Sequence, residues 1–318
     1  MIDTILYGDC RETLKNLTNL SVQTCVTSPP YYGLRDYGGE EKQIGQEQTP
    51  KEYIDNLVNV FRIIKDKLSD DGTLWVNLGD SYYNYRPGKG QSYPKQSVSK
   101  TKQDLPNKCN KRGNKLDGLK EKDLIGVPWM FAFAMRDDGW YLRQDIIWHK
   151  PNPMPESVKD RCTKSHEHIF LFSKNKKYYY DNEAIKEPVK QDWGTRDRSK
   201  GKYHNTGSGL LPHSGLTKSY ERKNKRDVWS VTNKPYKGSH FAVFPPDLIE
   251  PCILAGSREG DLILDPFIGS GTTAMVSKNL NRHYIGCELH EEYHELIQQR
   301  VPDQQVVHNG LTKLIDTI

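Results

Sequence analysis

The chain has 318 residues and a formal net charge of +5, and its six cysteines, at positions 10, 25, 109, 162, 252 and 287, form no Cys-x-x-Cys pair. The length suits one catalytic domain with an additional small region, while the scattered cysteines argue against a disulfide framework and against a zinc site. Residues 1–10 lack a basic start followed by an apolar core, and no apolar run is long enough to span a membrane, so we expect a cytoplasmic protein.

Short apolar runs alternate along the chain with stretches whose apolar residues recur at helical spacing. The runs predict strands over residues 2–7, 22–26, 73–78, 141–148, 168–172, 262–264 and 283–287. The helical spacing predicts helices that carry Leu14 and Leu17, that begin after Thr49, and that cover 127–135, 244–254 and the stretch after Gly271. This alternation predicts an α/β fold with a mostly parallel central sheet and helices on both faces.

The helix that begins after Thr49 has the clearest local signals. Thr49 and Glu52 form a capping box around Pro50, a residue suited to the first helical position. Asp71-Gly72 is a turn signal, so we expect it to end this helix before the next strand begins.

The tetrapeptide Ser28-Pro29-Pro30-Tyr31 directly follows the predicted strand at 22–26. Proline fixes φ near about −65° and cannot donate to a β-ladder, so the chain must leave the sheet at this point. The turn then holds a small hydroxyl, a carbonyl and an aromatic ring in one rigid arc. Such an arc is suited to grip a flat, amide-like group.

A second turn, Asp-Pro-Phe-Ile-Gly-Ser-Gly-Thr at 265–272, joins the predicted strand at 262–264 to a helical stretch. A buried strand, a glycine turn and a helix N-terminus form the usual cradle for a nucleotide-like ligand at the carboxyl edge of a parallel sheet. The turn lacks the Gly-x-x-x-x-Gly-Lys spacing of a P-loop and does not match the dinucleotide fingerprint.

With both turns in hand, the chain resembles the amino-directed DNA methyltransferases, the cytosine-N4 and adenine-N6 family. The resemblance is to the permuted, beta-type order, in which the catalytic motif precedes the S-adenosylmethionine motif. It implies a Rossmann-like methyltransferase fold with basic insertions, S-adenosylmethionine as cofactor and double-stranded DNA as substrate. A place in restriction-modification fits the resemblance but stays open.

The resemblance also implies a set of cofactor-binding residues. Asp265 and the amide groups of the turn would match the ammonium and the carboxylate of the cofactor's methionine end. Glu288, at the end of the strand at 283–287, would accept the ribose hydroxyls, by the logic of dinucleotide folds. The full predicted set is Asp9, Phe241, Asp265, Phe267, Gly269, Ser270, Gly271, Thr272 and Glu288.

The predicted catalytic residues are Ser28, Pro29, Pro30 and Tyr31. An exocyclic amino nitrogen is a poor nucleophile because its lone pair is delocalised into the ring. If Ser28 and the Pro29 carbonyl accept its two hydrogens, the nitrogen can pyramidalise, and Tyr31 would stack on a base that has left the duplex. In the family, serine at the first motif position is linked to cytosine, which favours N4 of cytosine and leaves adenine N6 open.

Two segments carry the basic charge. Residues 84–124 hold eleven Lys or Arg against four Asp or Glu, and residues 186–227 hold eleven against five. Such segments are suited to tracking phosphates. We therefore predict contacts with DNA from the following residues, the last seven of them in the second segment: Lys150, Asn152, Arg196, Arg198, Lys200, Arg222, Lys223, Lys225 and Arg226.

Other classes of protein fit the sequence less well. Carbon-directed methyltransferases need a cysteine nucleophile, but Cys252 falls in a helical run, where we expect it to pack as a small hydrophobe. Protein glutamine methyltransferases use a similar proline-proline-tyrosine string with the motifs in the other order, and a non-catalytic DNA-binding protein also stays open. His166 and His168 share a strand face, yet no third ligand has supporting spacing, so no metal is predicted.

These observations predict a division of the chain into five regions. They are the catalytic half at 1–83, a basic insertion at 84–124, the remainder of the catalytic half at 125–185, a target-recognition region at 186–236 and the S-adenosylmethionine-binding half at 237–318. A homodimer and a companion restriction endonuclease stay open.

Overall fold

The computed structural model describes residues 2–33, 43–83, 118–189, 221–233 and 244–308. The strands in these ranges are β1 (Thr4–Tyr7), β2 (Val22–Thr27), β3 (Leu68–Leu78), β4 (Tyr141–His149), β5 (His166–Ser173), β6 (Glu187–Pro188), β7 (Arg222–Lys223), β8 (Val228–Ser230), β9 (Leu262–Asp265), β10 (His283–Glu288) and β11 (Gln305–His308). The α-helices are α1 (Cys10–Thr13), α2 (Pro50–Lys67), α3 (Val127–Asp137), α4 (Pro246–Gly256), α5 (Thr272–Asn279) and α6 (His294–Arg300).

Nine of these strands form one sheet in the order β11-β1-β10-β9-β2-β3-β5-β4-β8, and β6 pairs separately with β7. β5 runs antiparallel to β3 and β4, whereas the other neighbouring pairs in the sheet are parallel. The predicted α/β architecture with a mostly parallel sheet is therefore confirmed. The carboxyl ends of the parallel strands lie at the same edge of the sheet as the amino end of β5. Residues that follow the parallel strands therefore meet residues at the start of β5.

Alternating side chains of the central strands are buried on opposite faces of the sheet. On one face, Cys25 and Leu74 pack with Leu57 of α2 and Phe131 of α3. On the other face, α4 and α5 cover β2, β3 and β9 through the buried residues Val26, Trp75, Ile253, Ile263 and Val276. Burial on both faces explains why these strands read as continuous apolar runs rather than as alternating ones.

The sheet brings together strands that are far apart in sequence. β2 pairs with β9, and β1 lies between β10 and β11. The predicted catalytic half at 1–83 therefore contributes β1 to the part of the sheet that carries the glycine turn. The two motifs, in their permuted order along the chain, therefore follow strands of one continuous sheet.

The predicted capping box is confirmed, but the predicted end of α2 is wrong. Thr49 Oγ1 accepts from the Glu52 N–H, and a Glu52 carboxylate oxygen accepts from the Thr49 N–H. The helix ends at Lys67 because Leu68 is already extended, fully buried and paired with Val22. The Asp71-Gly72 turn signal lies inside β3, where the register with β2 shifts.

Within the described ranges, none of the helices has both the length and the apolar character needed to cross a membrane.

Candidate active site

The two predicted turns lie side by side at the carboxyl edge of the sheet. Thr27, the last residue of β2, donates its hydroxyl hydrogen to Asp265 Oδ1 at 2.6 Å, although the two residues are 238 positions apart. Ser28 follows Thr27 directly, and the glycine turn follows Asp265 directly. The structure therefore holds the Ser-Pro-Pro-Tyr turn and the glycine turn together through one buried hydrogen bond.

Asp265 organises the glycine turn from within. Its carboxylate also accepts from the Phe267 N–H at 3.0 Å and from the Thr273 hydroxyl at 2.6 Å, and only 1% of the residue is exposed. Burial raises the pKa of this carboxyl to about 6, against the lowering effect of the three hydrogen bonds. With both oxygens occupied by the protein, the role that the geometry supports is shaping the turn, and direct contact with the ammonium of a ligand stays a prediction.

Glu288 closes the other side of the same turn. Its two carboxylate oxygens accept from the N–H groups of Gly269 and His290, each at 2.9 Å. Burial is the largest influence on this carboxyl and raises its pKa to about 8. The side chain is thus placed where a ligand hydroxyl could donate to it, at the tip of the strand that neighbours β9.

Gly271 fixes the shape of the glycine turn, and Ser270 gives the turn a buried polar group without a partner among the described residues. Gly271 has φ +83°, a conformation that side chains disfavour, and a Cβ there would lie 3.2 Å from Ile297. Ser270 Oγ is buried and finds no hydrogen-bond partner among the described residues, which is costly unless a ligand or water satisfies it. A polar ligand with hydroxyl groups fits the Ser270 hydroxyl and the Glu288 carboxylate.

Tyr53 of α2 holds the Ser-Pro-Pro-Tyr turn, which is the predicted catalytic turn. The Tyr53 hydroxyl donates to the Pro30 carbonyl at 2.8 Å. Within the described part of the chain no hydrogen bond reaches the Pro29 carbonyl, so that oxygen can accept from an incoming group. Ser28 is partly buried, and its Oγ lies 3.4 Å from Asn77 Nδ2.

Tyr31 is anchored at its hydroxyl. It donates to Glu167 Oε2 at 2.6 Å and accepts from Asn77 Nδ2 at 2.8 Å. Its ring lies against the backbone of Gly79, where a Cβ would come within 2.6 Å of Tyr31 Cε2. The ring is therefore fixed both at its tip and on one side.

Sequence reasoning missed Asn77, Glu167 and Tyr53. They lie outside both turns, on β3, β5 and α2, and no local motif marks them. Asn77 and Glu167 are polar residues in or beside otherwise apolar strand runs, which is the signal that could have drawn attention to them.

The predicted DNA-binding residues Lys150 and Asn152 and the predicted cofactor-binding residue Asp9 have partners within the protein. Lys150 Nζ donates to Glu167 Oε1. Asn152 exchanges hydrogen bonds with the backbone of Asn233, both at 3.0 Å, which extends the pairing of β4 with β8. Asp9 caps α1 through the Arg11 N–H at 2.9 Å and forms an ion pair with the Arg11 guanidinium at 2.6 Å.

Four predicted DNA-binding residues lie at or near the small β6–β7 sheet. Lys223 and Arg226 pair with Glu187, Arg222 donates to the Lys186 carbonyl, and the Lys225 ammonium lies 4.9 Å from the centre of the Trp229 ring. The predicted residues Phe241, Arg196, Arg198 and Lys200 lie outside the described residues.

The residues considered for other chemistries have structural surroundings. Cys252 is buried within α4, where burial raises the pKa of its thiol, and this confirms that it packs as a small hydrophobe. His168 hydrogen-bonds with Asp145 at 3.0 Å, and the His166 ring lies 5.4 Å from the His168 ring. Across the described residues no group of three or more His, Cys, Asp or Glu could hold a metal ion.

The fold and the paired turns are those of a methyltransferase, and comparison with known proteins identifies the family. Residues 22–299 match the model of the DNA methylase family that comprises the N6 and N4 enzymes. The chain belongs to this family. This confirms the predicted class of enzyme, an amino-directed DNA methyltransferase, and S-adenosylmethionine as its cofactor.

Two relatives are similar over almost the whole chain. The type II methyltransferase M.SmaI of Serratia marcescens is 46% identical over 302 residues, which cover 93% of this chain and 90% of that protein. The type II methyltransferase M.XycI of Xanthomonas campestris pv. cyanopsidis is 45% identical over 301 residues, which cover 95% and 88%.

Solved structures of low sequence identity share the fold. The cytosine-N4-specific PvuII DNA methyltransferase has a TM-score of 0.59 at 17% identity and covers 95% of this chain and 93% of its own. A putative DNA modification methylase from Thermus thermophilus, complexed with S-adenosyl-L-methionine, has a TM-score of 0.60 at 21% identity and covers 97% and 99%.

Proposed function

We propose that the enzyme methylates the exocyclic amino nitrogen of a base that has flipped out of double-stranded DNA, and that N4 of cytosine is the favoured target. The observation that carries this proposal is the hydrogen bond from Thr27 to Asp265, because it places the serine-headed turn beside the glycine turn. The serine at the first motif position favours cytosine, as the family resemblance implies. Adenine N6 is the alternative outcome of the test below.

The glycine turn supplies the groups that would hold the cofactor. Gly269, Ser270 and Gly271 present the close backbone approach and the unpaired buried hydroxyl, while Glu288 presents a carboxylate suited to ribose hydroxyls. Asp265 keeps this turn in shape. When bound, S-adenosylmethionine supplies an electrophilic methyl group on a sulfonium centre.

The catalytic turn supplies the groups that would activate the target nitrogen. Ser28 Oγ and the Pro29 carbonyl each accept one amino hydrogen, so the lone pair is withdrawn from the ring and directed toward the glycine turn. Asn77 contacts Ser28 Oγ, and Tyr53 holds the turn at the Pro30 carbonyl. Catalysis therefore comes from positioning and from hydrogen bonds that strengthen as positive charge develops on the nitrogen. No covalent bond to the protein is needed.

A base can reach these groups only after it has left the duplex stack. Tyr31 would then offer its ring as a stacking surface, which for an aromatic side chain contributes about 1–3 kcal/mol per base. The contact of this ring with Gly79 and its anchored hydroxyl mean that the surface is in place before the base arrives.

For DNA recognition we propose the region 186–236, with the basic insertion at 84–124 as a second contact. Among the described residues, Arg222, Lys223, Lys225 and Arg226 bring positive charge to the β6–β7 sheet and its neighbourhood, where it would track phosphates. The type II names of the relatives support a further proposal, that a restriction endonuclease of the same specificity accompanies the enzyme.

The product nucleoside tests the function directly. Double-stranded DNA incubated with the enzyme and methyl-labelled S-adenosylmethionine, then digested to nucleosides, is expected to carry the label in N4-methyldeoxycytidine. Label in N6-methyldeoxyadenosine would overturn the base preference and keep the rest. Absence of label from every DNA tested, including DNA from a host that lacks the modification, would overturn the function.

The raised pKa values of Glu288 and Asp265 predict how the free energy of unfolding of the ligand-free protein depends on pH. The pKa of Glu288 in the fold is about 8 and that of Asp265 about 6, both above the ordinary values, so the folded state binds protons more tightly than the unfolded state. The free energy of unfolding should therefore fall as pH rises from 5 to 8, by on the order of a few kcal/mol. Urea unfolding at several pH values measures this.

Cofactor binding should then release a proton near neutral pH, because ribose hydroxyls favour the ionised carboxylate of Glu288. Calorimetry in buffers with different heats of ionisation should report the release at pH 7. At pH 9.5, where Glu288 is already ionised, the release should disappear. Equal proton release at both pH values, or none at either, would contradict the assignment of Glu288.

A further inference from the structure

Glu167 lies at the same sheet edge as the catalytic turn without belonging to either motif. It stands at the amino end of β5, opposite Trp148 of β4 and just beyond the last pairing of β5 with β3. Because β5 runs antiparallel to its neighbours, its beginning meets the ends of the parallel strands. Glu167 therefore reaches the active site although its strand, β5, is separated from β2 by β3.

The carboxylate of Glu167 divides its contacts between a cation and the catalytic turn. Oε1 accepts from Lys150 Nζ, while Oε2 accepts from the Tyr31 hydroxyl at 2.6 Å and from Asn77 Nδ2 at 3.0 Å. The side chain of Glu167 is 13% exposed and that of Lys150 17%. A pair this well buried is costly to assemble, and removing one partner alone leaves an uncompensated charge.

The contacts of Glu167 fix the ring of Tyr31. The ring cannot move toward Gly79, whose backbone it already touches, and its hydroxyl is held by Glu167 and Asn77. Burial raises the pKa of the Tyr31 phenol, and the charge of Glu167 raises it further, so the hydroxyl keeps its proton and donates it.

A second path leads from Glu167 to Ser28. The amide of Asn77 donates to Glu167 Oε2 and also lies 3.4 Å from Ser28 Oγ. Asn77 Nδ2 has two hydrogens, and its shorter contacts, to the Tyr31 hydroxyl at 2.8 Å and to Glu167 Oε2 at 3.0 Å, set the orientation of the amide. The amide then lies beside Ser28 Oγ at 3.4 Å and leaves lone-pair positions on that oxygen for an incoming hydrogen.

We infer that Glu167 is a positioning residue of the reaction: it holds the Tyr31 ring and, through Asn77, the Ser28 hydroxyl in the geometry that the target base meets, and Lys150 is its counter-charge. The inference rests on the proposed function. It gives Lys150 a role within the active site in place of the predicted contact with phosphate.

The charge state that this role needs is maintained at neutral pH. Burial is the largest influence and raises the pKa of Glu167, but the Lys150 charge and the hydrogen bonds from Lys150, Tyr31 and Asn77 outweigh it, so the pKa lies below its ordinary value. The carboxylate is therefore ionised and can accept from the Tyr31 hydroxyl and the Asn77 amide together.

The test compares Glu167→Gln, Tyr31→Phe and the double variant in the full chain, with methyl transfer to DNA as the assay. Each single change should lower kcat by on the order of 10–100-fold, because a small misplacement of reacting groups has effects of this size. KM for S-adenosylmethionine should stay within about twofold, since the glycine turn is untouched. The double variant should be no slower than the slower single variant, because both changes remove the same contact.

Two further variants keep the test decisive. Asp145→Asn removes another carboxylate of the β4–β5 pair, one that contacts His168 at 3.0 Å, and should leave kcat unchanged. If Glu167→Gln does not fold, the double variant Glu167→Gln with Lys150→Met replaces it, because neither position then carries a charge. In that case Tyr31→Phe alone must still lower kcat.

The outcomes separate the inference from the proposed function. A wild-type enzyme that labels no DNA would defeat the proposed function and this inference with it. A wild-type enzyme that methylates DNA, with Glu167→Gln or Tyr31→Phe at the wild-type kcat, would defeat the inference alone. Losses that multiply in the double variant would do the same, since they would show that the two side chains act independently.

Discussion

Ser28→Ala is expected to lower the rate of methyl transfer by on the order of 10²–10³-fold, the usual cost of removing one preorganised hydrogen-bonding group from the reacting centre. The alanine cannot accept an amino hydrogen, so the lone pair of the target nitrogen stays in the ring. Single-turnover transfer of labelled methyl groups to DNA measures the loss. The affinity for S-adenosylmethionine, measured by calorimetry, should change by less than about twofold, because the hydroxyl belongs to the other turn.

Ser69→Ala is the matched control for this change. Ser69 is a residue of β3 whose hydroxyl lies 3.4 Å from the Leu20 carbonyl, remote from both turns, so the rate should stay at the wild-type value. A Ser28→Ala enzyme that retains wild-type transfer would show that the serine-headed turn does not act on the amino group.

Asp265→Ala is expected to weaken both cofactor binding and the fold. The change leaves two threonine hydroxyls and the Phe267 N–H without their acceptor in a buried site, at about 1–3 kcal/mol for each group left unsatisfied. S-adenosylmethionine affinity should fall by more than about tenfold as the turn loses its shape. Turnover should fall as well, because Thr27 loses the hydrogen bond that holds the end of β2 beside the glycine turn. Calorimetry and urea unfolding measure the first two effects.

Asp265→Asn separates the effect on the stability of the fold from the effect on cofactor binding. The amide keeps the size of the carboxyl group and one oxygen that accepts hydrogen bonds, so this variant should preserve more of the free energy of unfolding than the alanine variant does. Cofactor affinity should still fall, because the amide cannot accept all three hydrogen bonds. Wild-type stability and wild-type affinity in the alanine variant would contradict the structural role of Asp265.

Several features of the site were predictable because their causes are local. Two prolines after an apolar run end a strand wherever they occur, and the glycine turn between a strand and a helix has a recognisable pattern. The family resemblance implies that the two turns lie together, but the particular contact between Thr27 and Asp265 was not predicted, because no pattern near those residues marks it. The adjacency of β2 and β9 confirms that the two turns lie together.

The missed features depend on contacts between distant segments. Glu167 belongs to the site only because β5 is reversed relative to β3, and no periodicity in a single strand reports its direction. The end of α2 was misplaced for a similar reason. Leu68 is buried against β2, and this long-range pairing prevails over the local turn signal at Asp71-Gly72.

The placement of β1 between β10 and β11 has a consequence for biosynthesis. As the chain leaves the ribosome, the segment with β1 and the serine-headed turn emerges long before the strands that flank β1 exist. The pairing of β1 with these strands joins segments about 280 residues apart, a long-range closure of the kind that slows folding. A chain synthesised only as far as β8 therefore carries the serine-headed turn but lacks β9, β10 and β11, and with them the glycine turn that we propose holds the cofactor.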